Sequence, residues 1–186
     1  MKITTIRYYG GAREKVCRLG LADLFLELQQ ILFETRIELA EEQDANSAAV
    51  VREAIDASFQ SGTEWVKIAA GGVDWTKRIR YNQTYLARLG VEIQVSARSD
   101  LLIRDVVHLR NSLQESTIDV GCIVVPSERM QRFLPDRTPS IRDAIRYVEE
   151  EFQEAMKFPI VLLAVEHDGI GTALPKKRTN IGKKVR

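Results

Sequence analysis

The sequence predicts an α/β fold, a single domain with a mixed central sheet and flanking helices. Three observations carry this. Residues 73–96 alternate apolar and polar with a period of two, the pattern of a half-buried β-hairpin. Residues 118–125 and 160–165 are short and almost wholly apolar, as strands buried on both faces are. Helical periodicity fills the stretches before and between them. A chain of 186 residues suits one domain, and at that size folding removes roughly 70% of the unfolded surface from water without help from disulfides or metal.

The elements follow in order. From Leu21 to Glu42 a helix is expected, with Leu21, Leu24, Phe25, Leu28, Ile31, Leu32 and Leu39 on one face and Glu27, Glu34, Glu38, Glu41 and Glu42 outside it. A second helix runs from Asn46, read as its N-cap, to Gln60, and Ser61-Gly62 ends it. In the hairpin the odd positions from Val73 to Val95 are mostly apolar and the even ones polar, with Lys77, Gln83 and Leu86 as the main exceptions. Ser99 is placed to cap a helix over Asp100–Leu113, whose apolar positions are Leu102, Val106, Leu109 and Leu113. Ile118–Val125 is a strand closed by Pro126. Thr138-Pro139 opens a further helix, Pro159 stops it, and Ile160–Val165 is the last strand. The order is helix, helix, hairpin, helix, strand, helix, strand, over a domain spanning residues 1–175. Residues 176–186 carry six Lys or Arg and no acid, and read as a basic tail touching phosphates without reading sequence.

Composition excludes several classes. A net charge of +1 with 45% hydrophobic residues rules out global disorder and a uniformly basic nucleic-acid glue, though not a local basic face. Cys17 and Cys122 are the only cysteines, so neither a disulfide framework nor a cysteine zinc site is available. Free thiols suit a reducing compartment. Met1-Lys2-Ile3-Thr4 lacks the apolar core of a signal peptide. No apolar stretch reaches the roughly 18 residues of a membrane span. A cytoplasmic protein with no membrane partner is expected.

The chemistry-bearing signal is Glu92-Ile93-Gln94. On a strand, Glu92 and Gln94 project from the same face, about 7 Å apart. A carboxylate there can hold a hard cation such as Mg²⁺, and the residue two along can touch water or phosphate. Arg78, Arg80 and Arg88 share that parity, and Arg98 follows. A carboxylate among arginines suits a phosphodiester; a solvated sheet face of mixed charge is the plainer alternative. Glu166-His167-Asp168 and His108 read as polar strand-end and surface residues, and Glu149-Glu150-Glu151 as a helix face rather than a site.

These residues carry a resemblance. Glu92-Ile93-Gln94 on a strand, then a helix, then Ile118-Asp119-Val120-Gly121 leading to Val124-Val125-Pro126 resembles the BglII family of type II restriction endonucleases, within the PD-(D/E)xK nuclease class. Val51-Arg52-Glu53-Ala54-Ile55 through Phe59, then Gly62 and Trp65, is similar to that family's helix before its catalytic hairpin. The resemblance covers roughly residues 47–166. It implies a restriction-endonuclease-like core and homodimers that surround duplex DNA and cut both strands with Mg²⁺. Glu92 would be a metal ligand and Gln94 would occupy the position that the wider class gives to Lys. A cognate methyltransferase would be the genetic partner. The family's Asp usually stands nine residues before the Glu; here that residue is Gln83, with Asn82 beside it.

Hairpin geometry offers another acid. A turn at Asn82-Gln83-Thr84 sets Asp74 opposite Glu92 on the same face, with Cβ atoms about 5 Å apart. Val73 then meets Ile93, Trp75 meets Val91, Tyr81 meets Tyr85, and Arg78 faces Arg88. The expectation is a Mg²⁺-dependent, site-specific endonuclease acting on double-stranded DNA as a homodimer, through the helix at 100–113 or the helix at 21–42. Its catalytic residues would be Asp74, Glu92 and Gln94, its metal ligands Asp74 and Glu92, and its DNA-binding residues Arg78, Arg80, Arg88 and Arg98. The alternative is a non-cleaving DNA-binding or defence-partner protein on a nuclease-like fold.

Overall fold

The computed structural model describes residues 1–61, 63–68, 72–82 and 84–176. Along the chain lie β1 (Lys2–Tyr8), α1 (Ala12–Arg18), α2 (Ala22–Glu34), β2 (Glu38–Leu39), α3 (Ala48–Gln60), β3 (Val66–Lys67), β4 (Trp75–Tyr81), β5 (Thr84–Ile93), α4 (Asp100–Gln114), β6 (Val120–Pro126), α5 (Glu128–Gln131), α6 (Ile141–Arg146), β7 (Ile160–Glu166) and β8 (Gly169–Ile170). A π-helical turn at Tyr147–Glu151 and a 3₁₀ turn at Gln153–Lys157 follow α6.

One mixed sheet of six strands, in the order β1-β7-β6-β5-β4-β3, organises a single α/β domain. The strands β5, β6 and β7 run parallel, and β1, β4 and β3 are antiparallel to their neighbours. Every residue of β6 and β7 is buried, as expected for central strands with both faces covered. One face packs Val91, Cys122 and Leu163 against Leu28, Leu32, Val51 and Ile55 of α2 and α3. The other packs Ile123, Val125 and Leu162 against Leu102, Val106 and Leu109 of α4 and against α6. No helix among the described residues is long and apolar enough to cross a membrane.

Several sequence expectations are corrected. The helix expected over 21–42 stops at Glu34. Thr35 turns extended, its hydroxyl donates to the Ile31 carbonyl, and Glu38–Leu39 leaves to pair in parallel with β8. Ser47, not Asn46, caps α3. Asn46 is buried and instead bonds the backbone of Ala40 and Phe133. Ser99 occupies the N-cap of α4 but its side chain caps nothing. Ser140, one residue beyond Pro139, caps α6 in a reciprocal capping box with Asp143. The polar face of the hairpin is not solvated along its length, because α4 covers the half that carries Glu92 and Gln94. The sequence reading assigned neither β1 nor α1. Of the basic tail only Lys176 lies within the described residues, and it pairs with Asp44 at 3.0 Å.

Candidate functional site

The hairpin ladder sets the geometry. Trp75 pairs with Val91, Thr76 with Gly90, Arg78 with Arg88 and Ile79 with Ala87. Continued one step back, this register puts Asp74 across from Glu92. The two are tied through their backbones: the Asp74 N–H donates to Glu92 Oε2 at 3.3 Å, and Asp74 Oδ2 accepts from the Ile93 N–H at 2.8 Å.

Near the turn the register slips. Arg80 pairs with Tyr85 and Tyr81 with Thr84, not Tyr81 with Tyr85, so Leu86 is the unpaired bulge residue. Asn82 takes a positive φ of 46° at the turn, a conformation that Asn tolerates. The bulge changes the parity of Tyr85 and swings its ring onto the arginine face. The guanidinium carbons of Arg78, Arg80 and Arg88 lie 4.7, 5.0 and 5.8 Å from that ring's centroid, and Arg80 donates to the phenol oxygen at 2.9 Å. Among the described residues none of the three arginines pairs with a carboxylate. Arg98 is not among them. It lies past the other end of β5, bound to Asp100 at 2.6 Å.

Glu92 is 3% exposed. Its Oε1 has no hydrogen-bond donor among the described residues. Burial, then the charges of Asp74 and Asp105, push its carboxyl up to about 10. Asp105, also 3% exposed, is pushed up to about 7, first by burial and then by Asp74. His108 Nδ1 stands 3.7 Å from Glu92 Oε1, too far for a hydrogen bond. One ligand atom from each of Glu92, Asp105 and His108 falls within 4.8 Å of the other two. Gln94 is buried, and its amide nitrogen donates to Ser96 Oγ and to the Arg98 carbonyl, both at 3.1 Å.

Asp74 is held from α3. Arg52 Nη2 meets Asp74 Oδ1 at 3.0 Å, its Nε lies 3.2 Å from Asp56 Oδ2, and its Nη1 donates to the Ile93 carbonyl. Asp56 also accepts from the Trp75 indole at 2.9 Å and pairs with Lys67 at 3.0 Å. One turn of α3 thus fixes the base of β3, β4 and β5 together.

Patterning alone misses Arg52, Asp105 and His108 as members of this cluster. A signal for Asp105 exists: it lies three residues from Leu102 and four from Leu109, so it falls on the buried stripe of α4. A carboxylate at such a position calls for a partner. The other polar clusters lie elsewhere. His167 sits between Glu41, at 3.1 Å, and Glu166, which Ser127 bonds at 2.6 Å. Glu149 accepts from the Tyr9 hydroxyl at 2.8 Å.

With that geometry in place, comparison with known proteins is informative. The sequence profile of the family described as restriction endonuclease BglII/BglIII matches residues 6–165. The chain is also similar to allophycocyanin subunit beta-18 of Cyanidium caldarium, at 24% identity over 128 residues, which is 67% of this chain and 75% of that one. So low an identity carries no family assignment.

Proposed function

Because the chain belongs to the restriction endonuclease BglII/BglIII family, we propose that it is a Mg²⁺-dependent, site-specific nuclease that hydrolyses phosphodiester bonds of duplex DNA as a homodimer. We assign Asp74 and Glu92 as its metal ligands within a core of the PD-(D/E)xK kind. The observation that carries this is Glu92 Oε1, a buried carboxylate oxygen without a donor among the described residues, beside a second carboxylate, Asp74, at the start of the facing strand. Two close buried carboxylates repel unless a proton or a cation lies between them, so the residues present fit a hard dication. Bound there, Mg²⁺ supplies a water of lowered pKa and screens the charge that develops on the phosphate.

The chain's own residues do the rest. Arg52 and the Ile93 N–H fix the Asp74 carboxylate, so it needs no reorganisation when DNA arrives. Gln94 does not titrate and is no general base. With its nitrogen committed to Ser96 and Arg98, its carbonyl oxygen is the atom available to orient water. Arg78, Arg80 and Arg88 bind flanking phosphates from the same face, and Arg98 contributes from the far end of β5. Leu26 and Phe33, seven residues apart on α2 and both about 60% exposed, support α2 as the dimer face.

The test is cleavage of mixed-sequence plasmid DNA with and without Mg²⁺, using wild type and Glu92→Gln. The expected result is discrete Mg²⁺-dependent fragments from wild type and none from a folded Glu92→Gln. A wild type that binds DNA but never nicks it would instead identify a non-cleaving DNA-binding protein.

A further inference from the structure

We infer that Asp105 and His108 of α4 join Glu92 in a second divalent-cation site, of mixed oxygen and nitrogen ligands, that takes a first-row transition-metal ion in preference to Mg²⁺ or Ca²⁺. The site shares Glu92 with the Mg²⁺ site proposed above and rests on that reading for its role in the reaction. Its ligands come directly from the geometry.

Asp105 and His108 are three residues apart on α4 and so share a helix face. That face lies over Glu92. The three ligand atoms span no more than 4.8 Å, and opposite ligands of one ion with bonds of about 2.1 Å stand roughly 4.2 Å apart. Three ligands cannot all stand opposite one another, and neighbouring ones lie about 3.0–3.4 Å apart, so closure needs the side chains to draw together by up to about 1.5 Å. The second, independent observation is Glu92 Oε1. It is buried, has no hydrogen-bond partner among the described residues and lies 3.7 Å from the imidazole Nδ1. A histidine placed only to satisfy that oxygen would stand within about 3.2 Å. Among the described residues, Arg104 and Arg52 are the protein cations whose charge reaches Asp105, and Arg52 is committed to Asp74 and Asp56. The nearest to Asp105 is Arg104, at 3.7 Å and more than half exposed.

Ligand chemistry selects the ion class. Mg²⁺ and Ca²⁺ are hard ions that bind oxygen. Imidazole suits first-row transition metals, whose affinity for such a site rises from Mn²⁺ towards Cu²⁺; Mn²⁺, which also takes carboxylate, is the weakest of them and so the strictest probe.

The test uses the full chain freed of metal and without DNA, titrated with Mn²⁺, Ca²⁺ or Mg²⁺ by calorimetry, with electron-spin-echo detection of nitrogen coupled to bound Mn²⁺. Wild type should bind Mn²⁺ at least about tenfold more tightly than Ca²⁺ and show imidazole nitrogen coupling. His108→Ala, at a position one-third exposed, should fold normally. It should lose the coupling and about tenfold or more in Mn²⁺ affinity, and keep Ca²⁺ binding within about twofold. Asp105→Asn should weaken Mn²⁺ binding while retaining the nitrogen signal. Equal Mn²⁺ binding by wild type and His108→Ala, without coupling in either, overturns this site and leaves the Mg²⁺ reading standing. Failure of wild type to bind any of Mn²⁺, Ca²⁺ or Mg²⁺ removes both.

Discussion

Gly90 of β5 and Gly121 of β6 stand side by side in the parallel ladder; Gly121 lets α4 settle onto the sheet, and Gly90 makes room beside it for Ile118 and Val73. A Cβ on Gly121 would lie 2.8 Å from Leu109 Cδ2, and one on Gly90 would lie 2.8 Å from Ile118 Cδ1 and 3.2 Å from Val73 Cγ2. Leu109 is fully buried and Ile118 nearly so, so neither has room to retreat. The seat under α4 is what brings Asp105 and His108 within reach of Glu92. Gly90→Ala is expected to cost about 1–3 kcal/mol through overpacking, or a fall in Tm of roughly 2–4 °C for each kcal/mol at this chain length. Thermal unfolding of Gly90→Ala beside Ala87→Gly, a change at a buried position on the opposite face, checks it. An unchanged Tm for Gly90→Ala would mean that Ile118 and Val73 yield to the added methyl.

Among the described residues, Arg52 is the single cation linking Asp74, Asp56 and the Ile93 carbonyl. Arg52→Met keeps the length of the side chain and removes its donors, leaving the Asp74 carboxylate held on one side only. The expected loss is about 1–3 kcal/mol, the usual consequence of stripping a partner from hydrogen-bonded charged groups. Arg52→Lys should recover only part of it, since one ammonium cannot reproduce a planar fork reaching three acceptors. Urea unfolding of the three proteins decides this, and full recovery by lysine would reduce the role to charge alone.

Most of the sheet was legible in the sequence, and the failures have physical causes. The register from Trp75 to Ile79 follows from an alternation that Lys77 alone breaks in that stretch and from a turn-forming Asn82. Leu86, an exception to that alternation, turns out to be the bulge, and the slip it causes explains why Tyr85 lies with the arginines. The strand β1 left no signal because it is an edge strand with no fully buried residue, and because a bulge between Ile3 and Thr5 sets its two packed residues, Ile3 and Ile6, three apart instead of two. The α2 stripe appeared to run on because Leu39, buried in β2, falls by coincidence at helical spacing. In the cluster around Glu92, Asp105 and His108 come from another element, and only tertiary packing brings them there.

The buried acids make stability depend on pH. For Glu92, pushed up to about 10, and Asp105, pushed up to about 7, the folded state keeps protons that the unfolded chain releases near pH 4. Stability therefore falls as pH rises through that interval, because the folded state binds more protons than the unfolded one. In chelator, the urea midpoint of the metal-free protein should be lower at pH 9 than at pH 6, and Glu92→Gln should flatten the trend. A wild-type midpoint that rises over this range would show that neither acid holds its proton in the fold. Addition of a bound dication should reverse the trend, since the ion replaces the protons.

The arginines around Tyr85 separate stability from binding. Arg78 faces Arg88 directly across the strands, a like-charge pair that destabilises a hairpin; the nearby Asp119 carboxylate bonds the Arg88 backbone N–H, while the Arg88 guanidinium bonds the Thr117 carbonyl. Hydrogen bonding from Arg78 and the charge of Arg80 hold the Tyr85 phenol below its usual range, a sign of the local positive potential. Such a cluster is retained at a cost if it meets an anion. Arg78→Gln should therefore leave folding stability unchanged or raise it by up to about 1 kcal/mol, while weakening binding to every duplex alike. Each phosphate contact contributes about 0.9 to the slope of log K against log salt, so the slope should fall by about that amount, with no change in sequence preference. Fluorescence anisotropy on two unrelated duplexes across a salt series, with thermal unfolding alongside, reads both effects. If Arg78→Gln were to lower Tm and leave the salt slope intact, the cluster would be a structural feature of the hairpin and not a phosphate contact.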